Sequence, residues 1–201
     1  MTSPRDLRVL ALGDSFVAGV GDPDGRGWFG RLVSAAGRRG VATTAYNLGV
    51  RRDTTGDVLA RWHREVAVRR APGCDERLVV SVGVNDCTVE NGTQRVATEQ
   101  SVADLARLLA DAGEAGLPTF VVGPPPIADA EVNRRVVELS ARFRDVCADA
   151  GAPFVEVVHD LVRDERWTAE VRDGDGAHPG AGGYERLAAV VLPAWLGWIR
   201  P

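Results

Sequence analysis

Short apolar runs alternate with longer amphipathic stretches along this chain. The apolar runs are rich in Val, Leu and Phe, are bounded by Gly, Pro, Asn or Asp, and cover residues 7–12, 41–48, 77–82, 118–122 and 153–158. Runs of this length and composition between turn-forming residues are typical of buried strands. The pattern therefore predicts five strands.

The stretches between these runs have apolar residues at positions i, i+3, i+4 and i+7, which indicates amphipathic helices. Helices are expected over residues 28–39, 54–69, 98–115 and 131–150, and a last one from residue 181 to about residue 192. Pro193 is expected to kink or restart that helix, with one further turn over residues 194–199. Such alternation favours an α/β fold, a parallel sheet with helices on both faces.

The composition fits one folded domain over residues 1–201, with no internal repeat or linker. Hydrophobic residues make up 45% of the chain, enough to bury a core. All 24 basic residues are arginines, which excludes Schiff-base lysine chemistry and a Walker phosphate loop. The net charge is −4 and no basic cluster exceeds a pair, so nucleic acid is not an expected partner.

Targeting signals and cysteine spacing point to a cytoplasmic protein. No uncharged run approaches the roughly 20 apolar residues of a membrane span. The first residues lack the pattern of a secretory signal, so a cytoplasmic location is expected. Cys74, Cys87 and Cys147 are too far apart for a disulfide framework or a zinc site, and are expected to be reduced, mostly buried thiols.

The residues that follow the strands are the candidates for chemistry, because open parallel sheets bind ligands at the carboxyl ends of their strands. Ser15 follows the first strand and is either a nucleophile at a helix start or an ordinary N-cap. Asn85 follows the third strand and either donates to an oxyanion or forms an Asn-Asp turn.

One Gly-rich loop holds a candidate general base. Asp175 stands three residues before His178, so its carboxylate can reach the imidazole and hold it in one tautomer. Asp173 is the competing carboxylate, and His159, expected at the end of the fifth strand, is the second choice of base. The alternative is a solvated acidic turn.

Three segments occur in order along the chain: GDS at residues 13–15, GVND at residues 83–86 and DGAHP at residues 175–179. Together they resemble the GDSL, or SGNH, hydrolases. The resemblance implies a three-layer α/β/α sandwich with a five-stranded parallel, flavodoxin-like sheet. It also implies Ser15 as nucleophile, His178 as base, Asp175 as its orienter and Asn85 in the oxyanion hole. No metal or organic cofactor is implied.

One position departs from the family pattern. Many relatives have a glycine immediately before Asp-Thr, and its backbone N–H completes the oxyanion hole. Arg52 stands there in this chain, so we expect the Arg52 N–H to take that role if the local backbone suits a residue with a Cβ. Gly49 is the alternative donor. We also hypothesise that the Arg52 side chain favours substrates with an anionic group.

These expectations predict a serine esterase for small soluble acyl or acetyl esters, acting through an acyl-enzyme. The loops 87–97 and 123–133 are expected to line an open site, since no lid segment is evident. A thioesterase or lysophospholipase of the same fold is the first alternative. A non-catalytic flavodoxin-like binding module is the second, although no lysine is available for a phospho-receiver and residues 13–19 make a poor flavin phosphate loop. A hydrolase fold that has lost its activity is the third.

Overall fold

A computed structural model of the chain describes residues 5–200. Strands and helices alternate through most of this part. In chain order they are β1 (Leu7–Gly13), α1 (Ser15–Ala18), α2 (Gly27–Gly37), β2 (Thr44–Gly49), α3 (Thr55–Ala67), β3 (Asp75–Ser81), α4 (Val84–Cys87), β4 (Val89–Glu90), β5 (Thr93–Gln94), α5 (Thr98–Glu114), β6 (Thr119–Val122), α6 (Ala130–Asp149), β7 (Phe154–Val155), α7 (Val158–Leu161), α8 (Glu165–Asp173) and α9 (Ala181–Trp198).

Five strands form one parallel sheet in the order β2-β1-β3-β6-β7, which confirms the predicted α/β architecture. Gly13 at the end of β1 is in register with Gly49 of β2 and with Ser81 of β3. The carboxyl ends of the three strands therefore lie at one level, and the segments that follow them meet at one edge of the sheet. β4 and β5 form a separate antiparallel hairpin.

Alternate residues of β1 pack into two different cores, one on each face of the sheet. Val9 and Ala11 belong to a core that includes residues of α1, α2, α8 and α9, whereas Leu10 and Leu12 belong to a core that includes residues of α3, α5 and α6. This alternation follows from the period of two along a strand. It makes three layers, with helices on both faces of the sheet.

The aromatic residues and two of the three cysteines belong to these cores. Four of the five tryptophans are at most 1% exposed: Trp28, Trp62, Trp167 and Trp195. Burying each such ring contributes roughly 1.5–3 kcal/mol or more. Cys87 and Cys147 are buried, Cys74 is half-buried, and all three are free thiols, as expected. No helix within residues 5–200 is long and apolar enough to span a membrane.

Two expectations about secondary structure were wrong. The fifth strand covers only Phe154–Val155, and Val158 begins the short helix α7, so His159 lies in a helix and not at a strand end. A short apolar run does not by itself distinguish a strand from a buried helical turn. Helix α9 runs without a break through Pro193 to Trp198, so it neither ends near residue 192 nor restarts after the proline.

Candidate active site

The start of helix α1 holds Ser15 at the carboxyl edge of the sheet. Asp14 is the N-cap of this helix, and its Oδ1 accepts the N–H of Phe16 at 2.9 Å. The chain turns out of β1 at Gly13, where a Cβ would lie 2.0 Å from the carbonyl oxygen of Ser81. Only glycine fits there, so the close approach of β3 fixes the point at which β1 ends and helix α1, with Ser15 as its first residue, begins.

Ser15, His178 and Asp175 form a continuous hydrogen-bonded chain. The Oγ of Ser15 lies 2.7 Å from Nε2 of His178, and Nδ1 of the same ring lies 2.7 Å from Oδ2 of Asp175. Ser15 is 5% exposed and is 163 residues from His178 in sequence. This is the arrangement in which an imidazole can accept a hydroxyl proton while a carboxylate stabilises the resulting imidazolium.

Asp175 also organises the loop that carries the imidazole. Its Oδ1 accepts the backbone N–H groups of Ala177 at 2.9 Å and His178 at 2.8 Å. Burial raises the pKa of Asp175, but these two hydrogen bonds and the contact with the ring outweigh it and lower the pKa to about 2. The carboxyl group is therefore ionised throughout the neutral range.

The competing carboxylate, Asp173, and the second candidate base, His159, both lie on the surface. Asp173 is 74% exposed in its side chain and pairs with Arg172 at 3.5 Å. The Nδ1 of His159 lies 3.3 Å from a carboxylate oxygen of Glu156. The imidazole beside Ser15 thus takes its carboxylate from Asp175.

A column of aromatic rings lies behind the imidazole. The ring centroid of Phe16 is 4.9 Å from that of His178 and 6.3 Å from that of Trp167. Tyr184 packs edge-on against Trp167, and its hydroxyl donates to the carbonyl of Val20 at 2.7 Å. These buried rings leave the imidazole little freedom to rotate away from Ser15.

Helix α9 begins two residues after Pro179, and its first turn is held by a carboxylate of α8. Oε2 of Glu170 accepts the N–H of Gly183 at 2.7 Å. A Cβ at Gly182 would lie 1.8 Å from Nε of Arg166, so the helices approach closely only because glycines occupy this turn. Glu170 was not identified from the sequence, and the glycines that follow DGAHP were the available signal.

Asn85 lies in α4 with its side-chain amide facing two oxygens. Its Nδ2 donates to the carbonyl of Asp53 at 3.0 Å and, over a longer 3.3 Å, to Oδ2 of Asp14. Burial and the neighbouring carboxylates of Asp86 and Asp53 raise the pKa of Asp14 to about 7, although the N–H of Phe16 opposes this. Asp14 thus lies behind Ser15 with a carboxyl group that titrates near neutral pH.

Asp86 has a structural environment. It is fully buried, and its carboxylate accepts the backbone N–H of Thr55 at 3.1 Å and the hydroxyl of Ser101 at 2.7 Å. It therefore joins the first turn of α3 to α5. Within residues 5–200, no group of three or more His, Cys, Asp or Glu side chains is arranged to hold a metal ion.

Arg52 has a left-handed backbone conformation, with φ of 69°. Its carbonyl accepts Nη2 of Arg95 at 3.1 Å, while its own N–H, like that of Ser15, has no hydrogen-bond acceptor among residues 5–200. The N–H of Gly49, in contrast, donates to Oδ1 of Asn47 at 3.1 Å. The Arg52 guanidinium is 71% exposed and pairs with Glu90 of the β4–β5 hairpin, which offsets its charge.

Ser15 is 5% exposed, and the His178 side chain is 10% exposed. Five cavities of about 270–560 Å³ in the described part of the chain are lined by other residues. A cavity of about 270 Å³ lies nearby, between the loop after β6 and helix α8, and is lined in part by Trp167 and Ala128. Its wall reaches the imidazole loop, because the N–H of Ala128 donates to the carbonyl of Gly176.

Comparisons with known proteins agree with this geometry. The family model of the GDSL-like lipase/acylhydrolase family matches residues 11–186, which include all the candidate residues above. No curated protein matches the chain in sequence.

Solved structures of hydrolases share the fold. A lipase/acylhydrolase of Enterococcus faecalis is 22% identical, with a TM-score of 0.77 over 97% of this chain and 98% of the other. An acetylxylan esterase of Geobacillus stearothermophilus is 17% identical, with a TM-score of 0.80 over 100% and 99%. An α/β hydrolase from the metagenome of Lake Arreo is 21% identical, with a TM-score of 0.78 over 98% of each chain.

Proposed function

The chain belongs to the GDSL-like lipase/acylhydrolase family and is a serine hydrolase of ester bonds, and we propose that Ser15 is its nucleophile. Nε2 of His178 accepts the Ser15 proton as Oγ attacks the ester carbonyl, and Asp175 stabilises the imidazolium. The protonated ring then donates to the leaving alcohol, which leaves an acyl group on Ser15. Water, deprotonated by the same ring, attacks this acyl-enzyme and releases the acid.

The observation that carries this proposal is the pair of 2.7 Å contacts on either side of the His178 ring. A nucleophile, a base and an orienting carboxylate in hydrogen-bonding sequence are the functional signature of this chemistry. A non-catalytic module of the same fold has no need of such a sequence at the edge of its sheet.

We propose that the oxyanion is bound by the N–H groups of Ser15 and Arg52 and by the Asn85 amide. Two of these groups, the N–H of Ser15 and the N–H of Arg52, have no acceptor among residues 5–200. Arg52 is preferred over Gly49 because the Gly49 N–H is already bonded to Asn47. The Asn85 hydrogen directed at Asp14 over 3.3 Å is the one available for an oxyanion.

We propose short acyl or acetyl esters as substrates. A long acyl chain needs an enclosed apolar cavity to cover it, whereas the five cavities described above are lined by residues other than Ser15 and His178. One of the structures with this fold is an acetylxylan esterase, which agrees with an acetyl group as the acyl part. The single-domain organisation and the cytoplasmic location stay predictions.

The test is hydrolysis of p-nitrophenyl esters from acetate to palmitate by the wild-type protein and by Ser15→Ala. We expect activity highest on acetate to butyrate, and a loss of roughly 10⁴-fold or more in Ser15→Ala. Ser34→Ala, which removes a hydroxyl bonded only within helix α2, is the matched control and should be fully active. Activity that persists in Ser15→Ala contradicts the mechanism, and a preference for palmitate or for thioesters contradicts the substrate class.

A further inference from the structure

Arg61 joins three segments of the site although it touches none of the reacting groups. It lies in helix α3, and its side chain is only 19% exposed. Its Nε donates to the carboxylate of Asp53 at 2.7 Å, and its Nη2 donates to the carbonyls of Leu48 at 2.8 Å and Gly13 at 3.0 Å. One guanidinium therefore holds the ends of β1 and β2 and the loop that follows β2.

Each of these segments leads directly to a proposed oxyanion donor. Gly13 is two residues before Ser15, and Asp53 is the residue after Arg52. The carbonyl of Asp53 also accepts Nδ2 of Asn85 at 3.0 Å. The relative positions of all three donors thus depend on groups that Arg61 binds directly or through one residue.

The backbone at Arg52 requires this kind of restraint. A residue with a Cβ in the left-handed region is strained and persists only where its surroundings over-determine it. Arg95 holds the Arg52 carbonyl from one side, and Arg61 holds the neighbouring Asp53 side chain from the other. If the turn relaxed to a negative φ, the Arg52 N–H would point in a different direction.

We propose that Arg61 is a positioning residue that preorganises the oxyanion hole by fixing residues 49–53 against the start of helix α1. Donors stabilise an oxyanion well only when they are already aimed at the place where the charge develops. The planar, five-donor guanidinium suits this role, since it binds a carboxylate and two carbonyls at the same time. The inference rests on the proposed esterase function.

Arg61→Lys tests the role while keeping a positive charge beside Asp53. A single ammonium group on a flexible stem does not reproduce the three directed contacts. We expect kcat on p-nitrophenyl acetate to fall about 10- to 100-fold, with KM within about threefold of wild type. The inhibition constant of a small alkyl boronic acid, which forms a tetrahedral adduct with the serine, should rise by a similar factor. Arg61→Gln, which also retains hydrogen-bond donors, serves as a second variant if the lysine variant does not fold.

The matched control is Arg64→Lys, because Arg64 lies on the same helix with an exposed side chain. It should change neither kcat nor boronate binding. If Arg61→Lys and Arg61→Gln lower only the melting temperature, and kcat and boronate binding stay within twofold of wild type, Arg61 is a structural residue and the inference is wrong. Absence of esterase activity in the wild-type protein, or equal activity in Ser15→Ala, would instead contradict the proposed function itself.

Discussion

Replacing Asp175 with asparagine separates the two contacts that its carboxylate makes. Oδ1 accepts two backbone N–H groups and so shapes the loop, while Oδ2 holds Nδ1 of His178. The asparagine oxygen can keep both backbone contacts. Its NH₂ group would then face Nδ1 and donate to it, so the ring proton moves to Nε2. An imidazole protonated at Nε2 cannot accept the proton of Ser15.

The expected loss is large because the substitution changes the tautomer and leaves the packing intact. In chymotrypsin-type enzymes the same exchange lowers kcat about 10⁴-fold. That factor corresponds to about 5.5 kcal/mol of barrier, since each tenfold change is about 1.36 kcal/mol. KM should change little, because the backbone contacts of the loop are retained, and the melting temperature should fall only by the stability that the ionised carboxylate contributes.

The pKa of Asp175 defines the pH range of this experiment. Its folded-state pKa of about 2 lies below the ordinary value of 3.8. The carboxylate therefore contributes stability above the unfolded-state pKa, and that contribution is lost as the pH falls through 2. Assays between pH 6 and about pH 9 keep Asp175 ionised in the wild-type protein.

The measurement is kcat and KM for p-nitrophenyl acetate together with the thermal melting temperature. The matched control is Asp173→Asn, which removes an exposed carboxylate two residues away, at the end of helix α8, and should retain full activity. If Asp175→Asn is folded and its kcat is within tenfold of wild type, the carboxylate does not set the tautomer. The argument from the Asp175 contact would then be refuted.

Three further predictions concern the surroundings of the triad. Asn85→Ala should lower kcat about 10²- to 10³-fold with little change in KM, as steady-state kinetics will show. Arg52→Gly keeps the backbone N–H, so kcat on neutral esters should stay within about threefold while kcat/KM for an anionic ester falls; equal effects on both contradict the anionic preference. Because burial raises the pKa of Asp14 to about 7, wild-type stability should decline by on the order of 4 kcal/mol between pH 4 and pH 7. The free energy of unfolding of Asp14→Asn, measured by urea unfolding, should lack that decline with pH. The same dependence on pH in wild type and variant would contradict the raised pKa of Asp14.

Local patterns in the chain predict the fold and the three residues of the proposed catalytic triad. The β1 to β3 runs and the helical stripes follow from hydrophobic periods of two and 3.6, which nearby residues alone produce. Asp175 and His178 are three residues apart, so their contact is also a local property of one loop. Ser15 and Asn85 were identifiable because each lies within four residues of the end of a strand. The wrong expectations at His159 and Pro193 arose where core packing overrides such local preferences.

The tertiary structure decided how these groups are held. The hydrogen bonds from Asn85 to Asp53 and from Arg61 to Gly13 join elements that are distant along the chain. The left-handed backbone at Arg52 depends on how closely the surrounding elements approach it. Glu170 binds the first turn of α9 only because glycines let two helices touch. A one-dimensional pattern records residue type and spacing, so it determined the sheet, its helices and the side chains proposed to react. Preorganisation depends on the distances between separate elements, and only the folded chain sets those distances.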